Sequence, residues 1–257
     1  MGLTYSEGMS NSMLLNRHNL MIYDKSQELV VSLSQIDHFD VYDNIGECLP
    51  KADVVFLAVK PYHVDELFHE IKPLVNKDQI FVSIMAGVTI EKIQIGLGIT
   101  KVVRAMPNLP AQIGKGVTSY TEAKEVSRVE LIIIRNLLDT TGESIRVENE
   151  NFIDASTGIS GSGPAYVFYF MQSMLEAALK MGFSSNDSKI LVSKTFEGAV
   201  ELFNQGDLSP ETWMDRVASK GGTTRAALDS MEDNNVKELI KDAAYAAFDR
   251  AVELGKQ

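Results

Sequence analysis

Five clusters of glycine, proline and hydroxyl residues carry the features of this sequence that could do chemistry. In open α/β sheets, ligands bind at the carboxyl ends of strands. Where a helix begins, a glycine-rich backbone turns several N–H groups toward an anion, and Ser or Thr hydroxyls add directional contacts. The first three clusters follow predicted strands and the last two precede predicted helices: Ala58–Pro61, Ser83–Gly87, Arg104–Pro110, Ser160–Pro164 and Ser219–Thr224.

Each cluster also has an ordinary structural explanation. A lysine at position 60 either faces a phosphate or ends a buried strand, and Gly87 either admits a flat ligand or forms a turn. Pro164 fits a first helical position, and Thr223 or Thr224 fits a helix cap. Taken singly, the structural explanation is the more common one for each cluster.

Metal and covalent chemistry have little support in the residues. The histidines share no metal-ligand spacing, and Cys48 lies in a predicted helix without a nearby histidine. We therefore expect no metal site and no covalent nucleophile. Such a pattern is compatible with hydride transfer, in which the cofactor carries the chemistry and the protein orients it. The four histidines are His18, His38, His63 and His69.

The elements that must position these clusters divide the chain in two. Up to residue 148, short apolar runs rich in β-branched residues alternate with helical patterns, which predicts a mainly parallel α/β sheet. From residue 149 to residue 257 only helical patterns occur. The predicted strands are Leu20–Tyr23, Val54–Val59, Ile80–Ile84, Lys101–Arg104, Val117–Tyr120 and Ser144–Val147. The predicted long helices are Ala165–Met181, Asp187–Asn204 and Val236–Leu254, with a shorter one after Thr224.

The segment Ala165–Leu175 is apolar nearly all the way round, whereas a surface helix has one apolar stripe. We favour a homodimer in which the partner covers this helix; the alternative is a helix at the centre of its own bundle. The uncharged run Ala155–Leu175 is not expected to span a bilayer, because its first half is Gly, Ser, Thr and Pro.

Composition excludes some partners and indicates a compartment. The 257 residues carry a net charge of −11, which repels nucleic acid and anionic membranes. A single cysteine and the lack of a charged-then-apolar leader predict a reducing, cytoplasmic setting.

Taken together and in order, the motifs resemble those of the Δ1-pyrroline-5-carboxylate reductase family. The resemblance implies a Rossmann-like dinucleotide-binding domain over 1–148 and a helical substrate-binding and dimerisation domain over 149–257. It also implies a dimer, which in this family often belongs to a larger ring. It implies hydride transfer from NADPH or NADH to the cyclic imine of (S)-1-pyrroline-5-carboxylate, giving L-proline. It rests on ADVVFLAVKP (52–61), SIMAG (83–87), VVRAMPNLP (102–110), GISGSGPAY (158–166) and VASKGGTT (217–224).

The same resemblance implies the site residues. Thr224 would be the catalytic residue, with its hydroxyl near the ring nitrogen of the substrate. The substrate carboxylate would be bound by Ser219, Gly221, Gly222, Thr223 and Thr224. The cofactor would be lined by Gly2, Asp24, Lys25, Ser26, Asn44, Val59, Lys60, Pro61, Ala86, Gly87 and Asn108. Two positions differ from the family pattern: Leu109 replaces a threonine, and Lys220 stands where proline is frequent.

The beginning of the chain differs most. Met1-Gly2 matches the end of the family's glycine fingerprint, so the first strand and two fingerprint glycines are absent from this sequence. That strand would be central, and its loss predicts a slot of roughly 9.6 Å, twice the spacing of strands. We expect Leu3–Ser6 not to form a central strand and nucleotide affinity to be low.

Cofactor choice and function keep alternatives. Asp24 favours NAD through a ribose hydroxyl, whereas Lys25 and Ser26 favour the 2′-phosphate of NADP. Besides the reductase, the chain could be a related imine or keto-acid reductase, or a catalytically silent family member acting as an assembly or regulatory subunit.

Overall fold

The computed structural model of the chain describes residues 1–12, 14–15 and 19–255. Its strands are β1 Met21–Tyr23, β2 Asp40–Tyr42, β3 Val54–Leu57, β4 Ile80–Ser83, β5 Val102–Met106, β6 Gly116–Glu122 and β7 Gly142–Arg146. The α-helices are α1 Gly2–Asn11, α2 Gln27–Leu33, α3 Ile45–Cys48, α4 Val64–Ile71, α5 Ile90–Leu97, α6 Arg128–Leu138, α7 Glu150–Ser156, α8 Gly163–Lys180, α9 Ser185–Gln205, α10 Pro210–Val217, α11 Thr223–Asp233 and α12 Val236–Gly255.

The strands form two sheets. One has five strands in the order β3-β4-β5-β6-β7, in which only the β5–β6 pair is antiparallel. The other is the parallel pair β1-β2. All six predicted strands are present, with ends that differ from the prediction by at most two residues. The sequence missed β2, because three residues with one aliphatic side chain leave no alternation to detect.

The sheet is interrupted where the sequence predicted the slot. Among the described residues no strand pairs between β1 and β3, and Leu3–Ser6 lie in α1 instead. All side chains of β1 and three of the four in β3 are only partly buried, whereas β4 is buried throughout. Each of the two strands therefore has one edge without a partner strand among the described residues.

Helix α1 is nonetheless firmly packed on the five-stranded sheet. Tyr5 is 1% exposed, its hydroxyl lies 2.7 Å from Thr118 Oγ1, and its ring centroid is 5.4 Å from that of Phe56. Burial raises the pKa of the Tyr5 phenol. Gly8 allows close contact with the 3₁₀ turn Asp139–Thr141, since a Cβ on this glycine would lie 2.8 Å from Thr141 Cγ2.

Most helix starts follow the capping chemistry of their sequence. Side-chain oxygens of Ser26, Thr89, Ser127 and Ser184 accept a backbone N–H of the following first turn. The predicted cap at Thr223 or Thr224 is wrong, because Gly222 is the N-cap of α11 and both threonines lie inside the helix. Pro164 is the second residue of α8, one place later than predicted.

The helical part confirms the long helices and decides between the two explanations for the apolar segment. Helix α8 contains no buried residue, and Tyr169 is 79% exposed. The alternative of a helix at the centre of its own bundle is therefore wrong for this chain. None of the helices among the described residues is long and apolar enough to cross a bilayer.

The chain packs as two compact units. The first comprises residues 1–162 together with the last turns of α12 from Ala246, and the second comprises 163–245. The first therefore contains both sheets with α1–α7, and the second contains α8–α11 and the beginning of α12. The functional boundary between 148 and 149 stays a prediction.

Candidate active site

Three of the predicted cofactor segments meet at one edge of the five-stranded sheet. The segments beginning at Val59, Ala86 and Asn108 follow β3, β4 and β5, which are neighbouring parallel strands. Because parallel strands end at the same edge, these segments lie side by side. Gly2 joins them, since a Cβ on this residue would lie 3.0 Å from Ala58 Cβ at the end of β3.

This edge offers positive charge and free N–H groups. Lys60 is exposed and forms no ion pair with the described carboxylates, and Pro61 begins the following 3₁₀ turn. The first residues of α1 lie at the same edge, and Met1 caps that helix without a side-chain bond. The first-turn N–H groups of a helix have no intrahelical acceptor, so this arrangement fits an anionic group such as a dinucleotide phosphate.

Gly87 is required by the protein's own packing. Its φ is +74°, and a Cβ would lie 3.0 Å from both the carbonyl carbon and the Cβ of Leu254 in α12. The turn and this close approach account for glycine here without a ligand. Contact of Ala86 and Gly87 with a cofactor stays a prediction.

Asn108 has its acceptor engaged and its donors available. Its Oδ1 accepts a hydrogen bond of 3.0 Å from the backbone N–H of Val117, which fixes the amide plane. The Nδ2 group bonds to none of the described residues, so it is free to donate to a ligand. Leu109, next to it, is 48% exposed.

The residues predicted to contact the ribose, Asp24, Lys25 and Ser26, come directly after β1 and form hydrogen bonds within the protein. Asp24 Oδ1 accepts the N–H of Ser26, and Ser26 caps α2. Lys25 donates from 2.7 Å to Glu66 of α4, a bond that raises the lysine pKa and lowers the glutamate pKa. A 2′-phosphate at Lys25 would therefore compete with Glu66 for the ammonium group.

Asn44, the predicted adenine-side residue, also serves local structure. It is the N-cap of α3, and its Oδ1 accepts the N–H of Gly46 at 2.9 Å. Since the carbonyl oxygen is engaged in this cap, the structure explains asparagine here without a nucleotide.

The predicted carboxylate pocket lies in the second unit, around the beginning of α11. Gly221 has a φ of +71°, and the N–H of Gly222 donates to Ser219 O at 3.0 Å, which closes a tight turn. Thr223 and Thr224 are the first two residues of α11, so their N–H groups have no intrahelical acceptor. The structure thus brings the five predicted substrate residues into one turn with free donors.

Sequence reasoning missed a buried ionic group on β5, the strand that precedes Asn108. Arg104 in β5 is 2% exposed and contacts Glu150 and Asp154 of α7 at 2.9 and 2.5 Å. Helix α7 then continues into a five-residue π-helix, Thr157–Gly161. The available signal was an arginine within the apolar run Val102–Ala105.

Metal and thiol chemistry find no geometric support in the part of the chain described. No three His, Cys, Asp or Glu side chains there gather as a metal site, and His18 lies outside the described residues. Cys48 is buried in α3, where desolvation raises its pKa and disfavours the reactive thiolate.

Two family models match different parts of the chain. A family model described as pyrroline-5-carboxylate reductase dimerisation matches residues 150–254. A second, described as NADP oxidoreductase coenzyme F420-dependent, matches residues 4–87.

Individual relatives extend over most of the chain. Pyrroline-5-carboxylate reductase 2 of Bacillus subtilis is 36% identical over 213 residues, covering 82% of this chain and 76% of its own length. The Pseudomonas aeruginosa pyrroline-5-carboxylate reductase is 35% identical, covering 85% and 80% respectively. The crystal structure of the Plasmodium falciparum pyrroline carboxylate reductase with NADP bound superposes with a TM-score of 0.89 at 29% identity, covering 99% of this chain and 94% of that one.

Proposed function

The chain belongs to the pyrroline-5-carboxylate reductase family, and from that premise we propose that it reduces (S)-1-pyrroline-5-carboxylate to L-proline with NAD(P)H. The observation that carries this proposal is identity of 35–36% to two reductases over more than four-fifths of the chain. A hydride added to C5 of the protonated imine gives the secondary amine of proline, so the protein must hold the imine in that protonated form.

The turn before α11 is proposed to hold the substrate carboxylate. Ser219, Gly221 and Gly222 form the turn, and the first-turn N–H groups of Thr223 and Thr224 have no intrahelical acceptor. The N-terminal end of a helix carries partial positive charge, which stabilises an anion by about 0.3–1 kcal/mol where exposed and more where water is excluded. Binding the carboxylate here fixes one end of the substrate ring.

Thr224 is proposed to act on the reacting part of the ring. Its side chain is half-buried, and its hydroxyl bonds to no described residue. A hydroxyl placed at the ring nitrogen accepts a hydrogen bond from the protonated imine, which favours the more electrophilic form. Since the developing amine keeps this proton, the hydroxyl positions it without being consumed.

When bound, NAD(P)H supplies the hydride from its nicotinamide ring. We propose that Gly2, Val59, Lys60, Pro61, Ala86, Gly87 and Asn108 hold it at the edge of the five-stranded sheet. Lys60 and the beginning of α1 would contact phosphate, and the free Asn108 amide would donate at the nicotinamide side. Asp24, Lys25, Ser26 and Asn44 would contact the adenosine half, and the Lys25–Glu66 bond opposes selection of the 2′-phosphate.

We further propose a homodimer formed through the helical part, which could assemble into a larger ring. The match of residues 150–254 to the dimerisation model supports the dimer, as do exposed apolar side chains on α8 such as Phe168 and Tyr169, 58% and 79% exposed. A cytoplasmic location is proposed from the single cysteine, Cys48.

Replacing the proposed catalytic threonine tests the mechanism. Thr224→Ala should lower turnover on the order of 10²-fold, the usual effect of losing one oriented hydrogen-bonding group at a reacting centre. The dissociation constant for NADPH, measured by fluorescence titration, should change little. Thr100→Ala, on an exposed loop before β5, is the control and should keep wild-type turnover. Unchanged turnover in Thr224→Ala would remove this residue from the mechanism.

A further inference from the structure

Arg104 occupies a position that the rest of its strand gives to apolar residues. Its neighbours Val102, Val103 and Ala105 are 0% exposed, and Arg104 itself is 2% exposed. Burying a guanidinium group is costly unless carboxylates compensate it, and a well-packed apolar residue often gives equal or greater stability. Stability alone therefore does not account for arginine at this position.

The carboxylates that compensate Arg104 connect three elements of the first unit. Nη1 donates to Glu150 Oε1 at 2.9 Å, and Nη2 donates to Asp154 Oδ1 at 2.5 Å. The two acids lie one turn apart on α7, so the planar guanidinium group contacts one face of that helix. Glu150 Oε1 also accepts the N–H of Ile90 at 3.0 Å, which ties the beginning of α5 to the same group.

The segment that continues from α7 lies, at its last residue, close to the end of the same strand β5. The π-helix Thr157–Gly161 follows α7 directly and closes with a 2.8 Å bond from Ser162 N–H to Thr157 O. At Gly161 a Cβ would lie 3.1 Å from Met106 Cε, at the end of β5. π-Helical turns are rare and frequently occur at functional sites.

We propose that Arg104 is a positioning residue for hydride transfer. It binds α7 through Asp154 and Glu150, and α7 in turn fixes the π-helix 157–161 against the end of β5. Two residues beyond that end stands Asn108, and the Ile90 bond extends the same restraint to the helix that follows Gly87. Arg104 thus sets the spacing of three segments around the proposed nicotinamide side. This inference rests on the proposed function.

Asp154→Asn is the main test, because it removes one charge and keeps the shape of the side chain. Arg104→Lys is the second variant, since a lysine has a single ammonium group in place of the two-pronged contact. Arg146→Lys is the matched control: Arg146 also joins a strand to a carboxylate, Glu122, but it is 62% exposed. All chains are compared as folded dimers, checked by thermal unfolding and gel filtration.

For Asp154→Asn we expect kcat to fall about tenfold, because small displacements of positioning groups slow an oriented reaction. The KM for NADPH should change less than twofold. The kinetic isotope effect with NADPH deuterated at the transferred position should rise as hydride transfer becomes rate-limiting. In the ligand-free protein, hydrogen exchange of the 157–162 amides should accelerate about tenfold. Arg104→Lys should show the same changes, and Arg146→Lys none.

The outcomes separate the inference from the function on which it rests. A lower melting temperature with unchanged kcat, isotope effect and exchange in Asp154→Asn means a purely structural role and overturns the proposal. Equal changes in Arg146→Lys overturn it as well. A wild-type chain that folds and dimerises but forms no proline refutes the proposed function, whereas the exchange measurement still decides whether Arg104 fixes the π-helix.

Discussion

Glu130 forms an ion pair whose contribution to stability should depend strongly on pH. Its Oε1 accepts from Lys101 at 2.7 Å, and its Oε2 accepts the N–H of Ser127 at 2.7 Å in a capping box at the beginning of α6. These bonds, led by that from Lys101, lower the pKa of Glu130 from 4.5 to about 2. We expect Glu130→Gln to destabilise the protein at pH 7.

The magnitude follows from this shift. A lowering from 4.5 to about 2 corresponds to roughly 3 kcal/mol at about 1.4 kcal/mol per tenfold change. The two side chains are 20% and 26% exposed, so solvent screening reduces the expected loss to about 1–2 kcal/mol.

The direction of the pH dependence is fixed by the sign of the shift. A carboxyl whose folded pKa is depressed stabilises the protein fully above its unfolded pKa, near 4.5 here, and loses that contribution as the pH falls toward 2. The difference between wild type and Glu130→Gln should therefore be constant from pH 7 to about 6 and fall to less than about half by pH 3.

Urea unfolding followed by circular dichroism at several pH values measures this difference. Glu238→Gln is the control, because Glu238 pairs with Lys241 on α12 at 2.7 Å but is 62% exposed. That variant should lose markedly less stability than Glu130→Gln, because solvent screens the exposed pair. Equal losses in both variants, or a Glu130→Gln difference that persists at pH 3, would refute the reasoning.

Two further predictions concern Gly87, which follows β4, and the gap between β1 and β3. Gly87→Ala should lower the unfolding free energy by about 1–3 kcal/mol, since alanine is strained at positive φ and its Cβ would meet Leu254. The control Gly98→Ala, at a φ of +72° with no atom closer than 4.0 Å, should lower it by only about 1 kcal/mol. Equal unfolding free energies for the two variants would contradict this prediction. A β-branched strand and a Gly-x-Gly turn added before Met1 should pair with both β1 and β3 and lower the dissociation constant for NADPH at least about tenfold. An unchanged dissociation constant in fluorescence titration would contradict the idea that the gap between β1 and β3 limits nucleotide affinity.

The sequence allowed much of the fold to be predicted because its signals are local. Buried parallel strands such as Val54–Leu57 and Ile80–Ser83 are continuous apolar runs, and the long helices carry periodic patterns. The interrupted sheet was also predictable, since a missing strand leaves its two neighbours unpaired. The helix α10 and the short strand β2 carried too few periodic residues to be detected.

The segments proposed for the site could be named from the sequence, but their long-range contacts could not. Arg104 reaches partners 46 and 50 residues further along the chain, and no local pattern shows such a contact. Gly87 was interpreted as a place for a ligand or a turn, whereas its neighbour is Leu254, far away in the sequence. The Thr223–Thr224 pair fits a cap by composition, yet Gly222 takes the cap position and leaves the threonines inside the helix.

The most direct test of the central claim is the formation of proline by this 257-residue chain. The purified dimer is incubated with (S)-1-pyrroline-5-carboxylate and NADPH or NADH, and proline is quantified alongside cofactor oxidation. We expect one proline for each NAD(P)H oxidised, with turnover lost in Thr224→Ala. A folded, dimeric wild-type chain that oxidises no cofactor and forms no proline, with or without the added strand, would contradict the assignment and favour a catalytically silent family member.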